Sequence, residues 1–285
     1  MIESIIAGLI VGSGYAIIGV SLVLLNRFTG VLNFSQGAIG AMGAFTGYAL
    51  IAMGAPIFIA TLVGIVIAGL LGFFVGWVLT HFFADSTTTV RAVITITVLI
   101  ALLTLGFRLF GDSPMLMPDV IPKTFFDVGS VRVSTTTVVA IGLTAVISVC
   151  ISLFLKHSTL GSKYIAMSES HIAAQLLGIN TLLLSLSAWL FLGMLSAIAG
   201  FLVAPTYNPS FASLSLLVVP ALAAGVLGAF KNIWVVTTGG LLIGAVEGAG
   251  ARINWLSEYR GMIPFIIILI TLIWIRRKQV WDAVR

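Results

Sequence analysis

The sequence predicts an all-α membrane protein, a polytopic bundle of transmembrane helices. Of its 285 residues, 60% are hydrophobic and 8% are charged, whereas a soluble domain carries roughly 45–50% apolar and 25% charged residues. The mean hydropathy is +1.20. The run from Ser4 to Asn26 has no charged residue, and it is too long for a barrel strand of about ten residues. A water-soluble enzyme is excluded, because there is too little polar surface to cover a globule.

Nine helical spans are predicted, since a helix needs about 20 apolar residues to cross the hydrocarbon core. Gly54-Ala55-Pro56 divides the long uncharged stretch after the first span into a second and a third. Only Lys231-Asn232 separates the seventh span from the eighth, so either both cross or one is re-entrant, and totals of eight or ten stay open. The predicted spans are 4–26, 36–53, 57–80, 91–109, 134–155, 182–204, 214–230, 232–250 and 261–275.

The basic residues orient this bundle with the N-terminus outside and the C-terminus in the cytoplasm. With nine spans, nine of the fourteen Lys and Arg residues fall on the cytoplasmic side, as the positive-inside rule expects. They include the tail Arg276-Arg277-Lys278. The net charge of +5 therefore reflects topology in a lipid bilayer, and no nucleic-acid partner is expected.

Two polar segments interrupt the spans. Residues 111–133 contain Pro114, Pro118 and Pro122, which predicts an irregular or hairpin-like extracytoplasmic loop. Residues 156–181 are too polar to span, yet they repeat apolar residues at helical intervals. Ser170 is placed to cap a helix there and Gly178 to end it. This segment is either an interfacial helix on the cytoplasmic leaflet or a helix that docks into a groove of a soluble partner.

The residues that would carry catalysis are missing. The chain has no phosphate-binding G-x-x-x-x-G-K-[ST] loop and no H-E-x-x-H pair. His81, His157 and His171 are dispersed, so we expect no metal site. No Ser/His or Ser/Lys pair falls within one span at helical spacing, which argues against an intramembrane enzyme. We therefore expect the chain to bind no ATP and no other cofactor of its own.

Several blocks of the sequence resemble the permeases of the branched-chain amino-acid ABC importer family. Leu160 to Asn180 lies without a gap on the family's cytoplasmic loop, roughly L-G-R-A-L-R-A followed by A-A-x-L-L-G-I-N. Asn33-Phe34-Ser35-Gln36-Gly37 resembles the family's N-F-A-x-G block, and Gly225-Val226-Leu227-Gly228 resembles part of its last block. The resemblance extends from about Gly8 to Ile275. The chain also departs from the family pattern. Ser162 and Ile165 stand where the family has two loop arginines, Ile172 stands where it has an acidic residue, and Trp234-Val235 replaces a Pro-Gly pair.

The resemblance implies a function and a set of partners. The chain would form a single permease domain over residues 1–285 in a bacterial or archaeal inner membrane, and would move branched-chain amino acids or a related small polar solute by alternating access. Its partners would be a second permease subunit, identical or not, two cytoplasmic ATPases that hydrolyse the ATP, and an extracytoplasmic binding protein. The implied ATPase-coupling residues are Leu160, Gly161, Ala166, Ala173, Ala174, Leu177 and Gly178.

Glu247 is the one acidic residue within a predicted span, and ionisable groups in a membrane face protein or water and are candidates for function. It is either a substrate-path residue or a structural acid paired with Arg252 or Arg108. Asn33 and Gln36 are expected to cap a helix, to line the path, or both. A standalone secondary carrier or channel is the alternative function, and it would need coupling residues in the membrane, for which only Glu247 qualifies.

A stripe of small residues follows the same span. Gly240, Gly244 and Gly248 recur every four residues and therefore share one helix face. We expect this face to pack within the monomer, and a contact with a second permease subunit is the alternative.

Overall fold

The computed structural model describes the backbone of residues 2–115, 117–120, 122, 124–128, 131–207, 209–251 and 260–283. Side chains are described for the same residues apart from Val128, Val131, Tyr207, Arg260 and 275–283. Arg252, which the sequence analysis singled out, lies outside the described residues, and so do the side chains of the basic tail Arg276-Arg277-Lys278.

Twelve α-helices and one short hairpin make up the described chain. The helices are α1 Ile2–Thr29, α2 Gln36–Ala52, α3 Ile57–Phe82, α4 Thr88–Phe110, α5 Thr135–His157, α6 Thr159–Glu169, α7 His171–Leu176, α8 Thr181–Tyr207, α9 Phe211–Ser215, α10 Val218–Leu227, α11 Ile233–Gly250 and α12 Ile263–Ala283. The strands are β1 Phe125–Val128 and β2 Val131–Ser134. A 3-10 turn, Arg260–Met262, precedes α12.

Among the described residues, six helices are long and apolar enough to cross a membrane: α1, α3, α4, α5, α8 and α11. The all-α prediction is confirmed, whereas nine spans remain a prediction. Where a seventh span was expected at 214–230, the chain forms the two short helices α9 and α10. Helix α10 then ends in a tight turn in which Ala229 and Phe230 both have positive φ.

Helix α1 lies at the centre of the bundle. It is apolar around its whole circumference, as a helix buried on all sides must be, and it packs against α5, α8, α10 and α11. Helices α3, α4 and α5 instead leave broad apolar faces exposed, including Phe74, Ile100 and Val146. Such faces are those expected to meet lipid tails or a second subunit.

Glycines bring α1 and α11 into backbone contact. A Cβ atom added at Gly240 would lie 2.5 Å from the Ala16 nitrogen, and one added at Gly244 would lie 2.5 Å from the Gly8 oxygen. A Cβ added at Gly248 would lie 2.9 Å from Gly8 Cα. No side chain fits between these backbones, so the α11 glycines face α1 of the same chain.

The segment between α4 and α5 contains an antiparallel hairpin, as its sequence indicated. Phe125 pairs with Ser134 and Val128 with Val131. Arg132 stacks over the Phe125 ring, 5.0 Å from its centroid, and the Thr135 amide donates to the Thr124 carbonyl at 2.9 Å. The hairpin therefore leads directly into the first turn of α5.

Candidate functional site

Helices α6 and α7 form a bent segment whose ends are set by local hydrogen bonds. The Gly161 amide donates to Ser158 Oγ at 2.8 Å, and the Ala173 amide donates to Ser170 Oγ at 3.2 Å. Gly178 has a φ of +76°, which a glycine adopts without strain. The predicted cap at Ser170 and the predicted end at Gly178 are thus confirmed.

The outer face of α7 is apolar and uncovered. Ile172, Leu176 and Leu177 are 73%, 84% and 76% exposed. Apolar side chains exposed next to one another, unlike singly scattered ones, mark interaction sites. Of the implied coupling residues, Leu160, Ala173, Leu177 and Gly178 are exposed as well, and Ala166 is half-buried. This face can therefore contact another molecule.

Two implied coupling residues face inward instead. Ala174 is buried, and a Cβ added at Gly161 would lie 2.7 Å from Leu155 Cα of α5. Tyr164 is buried beside them, where its hydroxyl lies 2.8 Å from Ser187 Oγ of α8. Burial raises the pKa of Tyr164 and outweighs the lowering by the Ser187 hydrogen bond, so the phenol is neutral at physiological pH. These residues fix the segment to the bundle.

A cavity of about 1210 Å³ opens beside α7. It lies between the end of α1, the α3–α4 connection, the start of α8 and the turn after α10. Charged side chains of both signs line it: Arg27, Asp85, Arg91, Glu169 and Lys231. Residues predicted to be cytoplasmic from four separate parts of the sequence therefore meet at one end of the bundle, next to the exposed face of α7.

Asn33 and Gln36 belong to a buried polar network where the chain enters α2. Each is 1% exposed. Asn33 Nδ2 donates to Gln36 Oε1 at 2.6 Å, and Gln36 Nε2 donates to Leu192 O at 2.8 Å and to Ser196 Oγ at 2.6 Å. Thr95 Oγ1 donates to the Leu32 carbonyl at 3.0 Å. These bonds join the α1–α2 connection to α2 and α4, and the start of α2 to α8.

This network explains why α2 has only 17 residues. Leu192 lies eleven residues into α8, which is about 16 Å along its axis. Helix α2 therefore begins inside the bundle, and an irregular stretch from Gly30 to Ser35 leads to it. Neither Asn33 nor Gln36 is the N-cap residue of α2: that residue is Ser35, whose own side chain makes no capping hydrogen bond, while Asn33 Oδ1 accepts from the Ser35 amide at 3.1 Å. Buried cross-links to neighbouring helices satisfy the polar groups instead.

Glu247 lies on α11, where Tyr15 of α1 reaches it. Tyr15 Oη donates to Glu247 Oε2 at 2.6 Å, a length typical of a hydroxyl donating to a carboxylate. Tyr15 is buried and Glu247 is half-buried. Arg108, one of the two expected partners, is exposed on α4. Both Tyr15 and Glu247 line a second cavity of about 720 Å³.

Comparison with known proteins relates these features to a family. Residues 4–272 match the family described as branched-chain amino acid transport system / permease component. The chain belongs to this family. The permease protein LivH of a high-affinity branched-chain amino acid transport system, from Salmonella typhimurium, is 25% identical over 95% of this chain and 92% of LivH. The corresponding BraD of Pseudomonas aeruginosa is 24% identical over 95% of this chain and 93% of BraD.

A solved structure shares the fold of this permease. PsaBC from Streptococcus pneumoniae, in complex with Fab, superposes with a TM-score of 0.52. The sequences are 17% identical, and the match covers 94% of this chain and 89% of the PsaBC chain. At this identity the likeness establishes the fold alone.

Sequence reasoning missed several residues of these sites. Tyr15 could have been found from the sequence, because a phenol in an apolar span places a hydroxyl in the membrane. Such a hydroxyl needs a hydrogen-bond partner. Gly8 and Gly12 lie four residues apart, the same spacing as the α11 stripe. Ser196 carried no such signal, because serines occur throughout the spans.

Proposed function

We propose that this permease is one membrane subunit of an ABC importer that carries an amino acid with an aliphatic side chain, or a closely related small solute. The assembly would contain a second permease, identical or not, two cytoplasmic ATPases and an extracytoplasmic binding protein. The permease would bind no nucleotide, and the ATPases would hydrolyse the ATP. The printed names of LivH and BraD support the solute class, because both belong to branched-chain amino acid transport systems.

The exposed face of α7 is the observation that carries the proposal. Three large apolar side chains, Ile172, Leu176 and Leu177, are exposed at the edge of the charged cavity. A short, doubly capped helix pair anchored by Tyr164 and Gly161 is rigid enough to transmit a displacement to α5 and α8. ATPase closure would move this segment, and the bundle would rock between outward and inward openings.

The proposed topology has nine crossings, with the N-terminus outside and the C-terminus in the cytoplasm of a bacterial or archaeal cell. The charged cavity beside α7 supports this orientation, because Arg27, Arg91 and Lys231 gather at one end. Helix α2 and the shorter apolar helices α9–α10 and α12 would supply the crossings beyond the six long ones. Asn33, Gln36 and Glu247 are the proposed substrate-path residues, and the first two would be occluded in this conformation.

Side-specific cysteine labelling tests the topology. Cys150 is exposed, so it is first replaced by Ser. Ser162 and Gln175 are exposed on the α6–α7 segment, and Cys at either position should react with a membrane-impermeant thiol reagent only from the cytoplasmic side. Ser113→Cys, in the connection after α4, is the matched control and should react only from outside. Reaction of Ser162→Cys from outside would overturn the orientation.

Transport by the assembled complex tests the function. Proteoliposomes containing the two permeases and the ATPases, supplied with the binding protein and leucine, should accumulate leucine only when ATP is hydrolysed. Uptake that persists without the ATPases, driven by an ion gradient, would instead identify a secondary carrier.

A further inference from the structure

The charged cavity beside α7 differs between its rim and its interior. Asp85, Glu169 and Lys231 are exposed, whereas Arg27 and Arg91 are half-buried. The two carboxylates therefore lie where water and salt screen them. Among the described residues that line the cavity, the charged side chains withdrawn from water are both arginines. The interior is positively charged and suits an anion.

Two hydrogen-bond donors in the cavity wall lack an acceptor. Trp189 is 1% exposed, and its buried Nε1 donates to none of the described residues. It lies eight residues into α8, about 12 Å along the helix axis from Thr181 at the cavity mouth. The Arg27 guanidinium makes no ion pair or hydrogen bond with the residues that the structure describes. Because a buried donor without an acceptor is costly, both groups point to a ligand rich in acceptor oxygens.

The remaining donors of the interior strengthen this preference. Arg91 Nε donates to the Phe83 carbonyl at 3.1 Å, and a second guanidinium nitrogen donates to the Ala84 carbonyl. These neutral acceptors orient the group and leave its charge uncompensated. Helices α4 and α8 both begin at the cavity, which Thr88 and Thr181 line, so the positive ends of two helix dipoles meet there. A phosphate group matches such a set, since its oxygens accept paired bonds from arginine.

The end of α3 places the cavity at the edge of the membrane. Leu79 and Thr80 line it. On the same turns Trp77 stacks on His81 with ring centroids 5.6 Å apart, and Phe82 is exposed. Aromatic side chains of this kind at the end of a membrane helix lie at the level of the lipid headgroups. Basic pockets between helices at that level bind lipid phosphates.

We infer that this cavity binds the phosphate of an anionic phospholipid, with Arg27, Arg91 and the Trp189 indole N–H as its donors. The acyl chains lie along the apolar faces that α3 and α4 expose. The bound headgroup links α1, α4 and α8 at one end of the bundle. This site is separate from the exposed apolar face of α7 and from the proposed solute path.

Native mass spectrometry of the full-length permease in detergent tests the ligand class. The dissociation constant of dioleoyl phosphatidylglycerol is measured first. Dioleoylglycerol has the same chains without the phosphate, and it should bind at least about tenfold more weakly. Glycerophosphoglycerol has the phosphate without the chains, and it should also bind at least about tenfold more weakly. Equal binding of dioleoylglycerol would overturn the phosphate site, and equal binding of glycerophosphoglycerol would overturn the lipid as its source. Leucine should not displace the lipid, and displacement would overturn the inference by assigning the cavity to the solute.

Variants of the two donors without acceptors identify the site. Arg27→Gln should weaken phosphatidylglycerol binding at least about tenfold, and Arg27→Lys should weaken it less, because it retains the charge and loses the paired geometry. The matched control is Arg108→Gln, which removes an exposed arginine near the opposite end of α4 and should not change the affinity. Trp189→Phe should weaken binding about fivefold; affinity is the readout, since the smaller ring also lowers stability. An unchanged affinity in Arg27→Gln, or an equal loss in Arg108→Gln, would overturn the inference. No transport is measured, so this result and the importer function stand or fall separately.

Discussion

The contact between α1 and α11 should be intolerant of a single added methyl group. In Gly244→Ala the new Cβ would lie 2.5 Å from the Gly8 carbonyl oxygen and would also meet Gly12 Cα, whereas ordinary contact begins at 3.4 Å. These are backbone atoms of a buried helix, so no side chain can rotate away. The two helices would have to separate by about 1 Å, the difference between the two distances.

The expected loss of folding stability follows from this separation of α1 and α11. Overpacking a well-packed core costs about 1–3 kcal/mol, and a gap of about 1 Å forfeits a quarter to a half of each dispersion contact along the pair. Alanine is a better helix former than glycine by about 1 kcal/mol, which offsets part of the loss. We expect a net loss of about 1–2 kcal/mol for Gly244→Ala, and failure of assembly for Gly244→Leu.

Heating a detergent-solubilised fluorescent fusion and measuring the folded fraction by gel filtration provides the assay. The midpoint of Gly244→Ala should fall by about 2–8 °C, on a scale of about 2–4 °C per kcal/mol. Gly142→Ala on α5 is the control, because a Cβ there meets nothing within 4 Å; its midpoint should not fall. If the two variants melt alike, the backbone contact does not limit stability and the reasoning is refuted.

Four further variants test other parts of the structure. Glu247→Gln should assemble with normal yield and show reduced leucine uptake in vesicles, whereas a lower yield would indicate a structural role for the carboxylate. Gln36→Leu should lower the thermal midpoint, since it leaves buried partners unsatisfied at about 1–3 kcal/mol each; an unchanged midpoint would contradict the network. Ile172→Asp should leave the fold intact and abolish co-purification of the ATPase, because it places a charge on the exposed apolar face of α7; normal co-purification would exclude that face. Ala229→Gly should be neutral or stabilising in the same thermal assay, since the residue has a φ of +48°, whereas Ala7→Gly in α1 should cost about 1 kcal/mol.

Much of the α6–α7 segment could be predicted from the sequence. Ser170, His171 and Gly178 define the beginning and end of α7, because capping bonds join residues two or three positions apart and glycine adopts the left-handed exit without strain. The direction in which Gly161 and Ala173 face could not be predicted in the same way. Both match one motif, yet Gly161 is buried against α5 and Ala173 is exposed, since the fold of the neighbouring helices determines which side is covered.

The short helices α2, α9 and α10 show a second limit of prediction from the sequence. A window of apolar residues predicts α2 almost to the residue, but not that it begins at Gln36 deep within the bundle. That depth depends on Ser196 and Leu192, which lie some 160 positions further along the chain. For 214–230, composition predicted one apolar segment, whereas the chain divides it between the two short helices α9 and α10.

The sequence by itself determined that this protein is a bundle of membrane helices and, to within a few residues, where its long helices begin and end. Those properties follow from composition, from runs of apolar residues and from caps, all of which act over a few neighbouring residues. Only the tertiary structure decided that Glu247 meets Tyr15, 232 positions away, and that the glycines of α11 lie against Gly8 and Gly12. Such pairings depend on the closest approach of helices that are distant in the chain, and no local pattern encodes that approach.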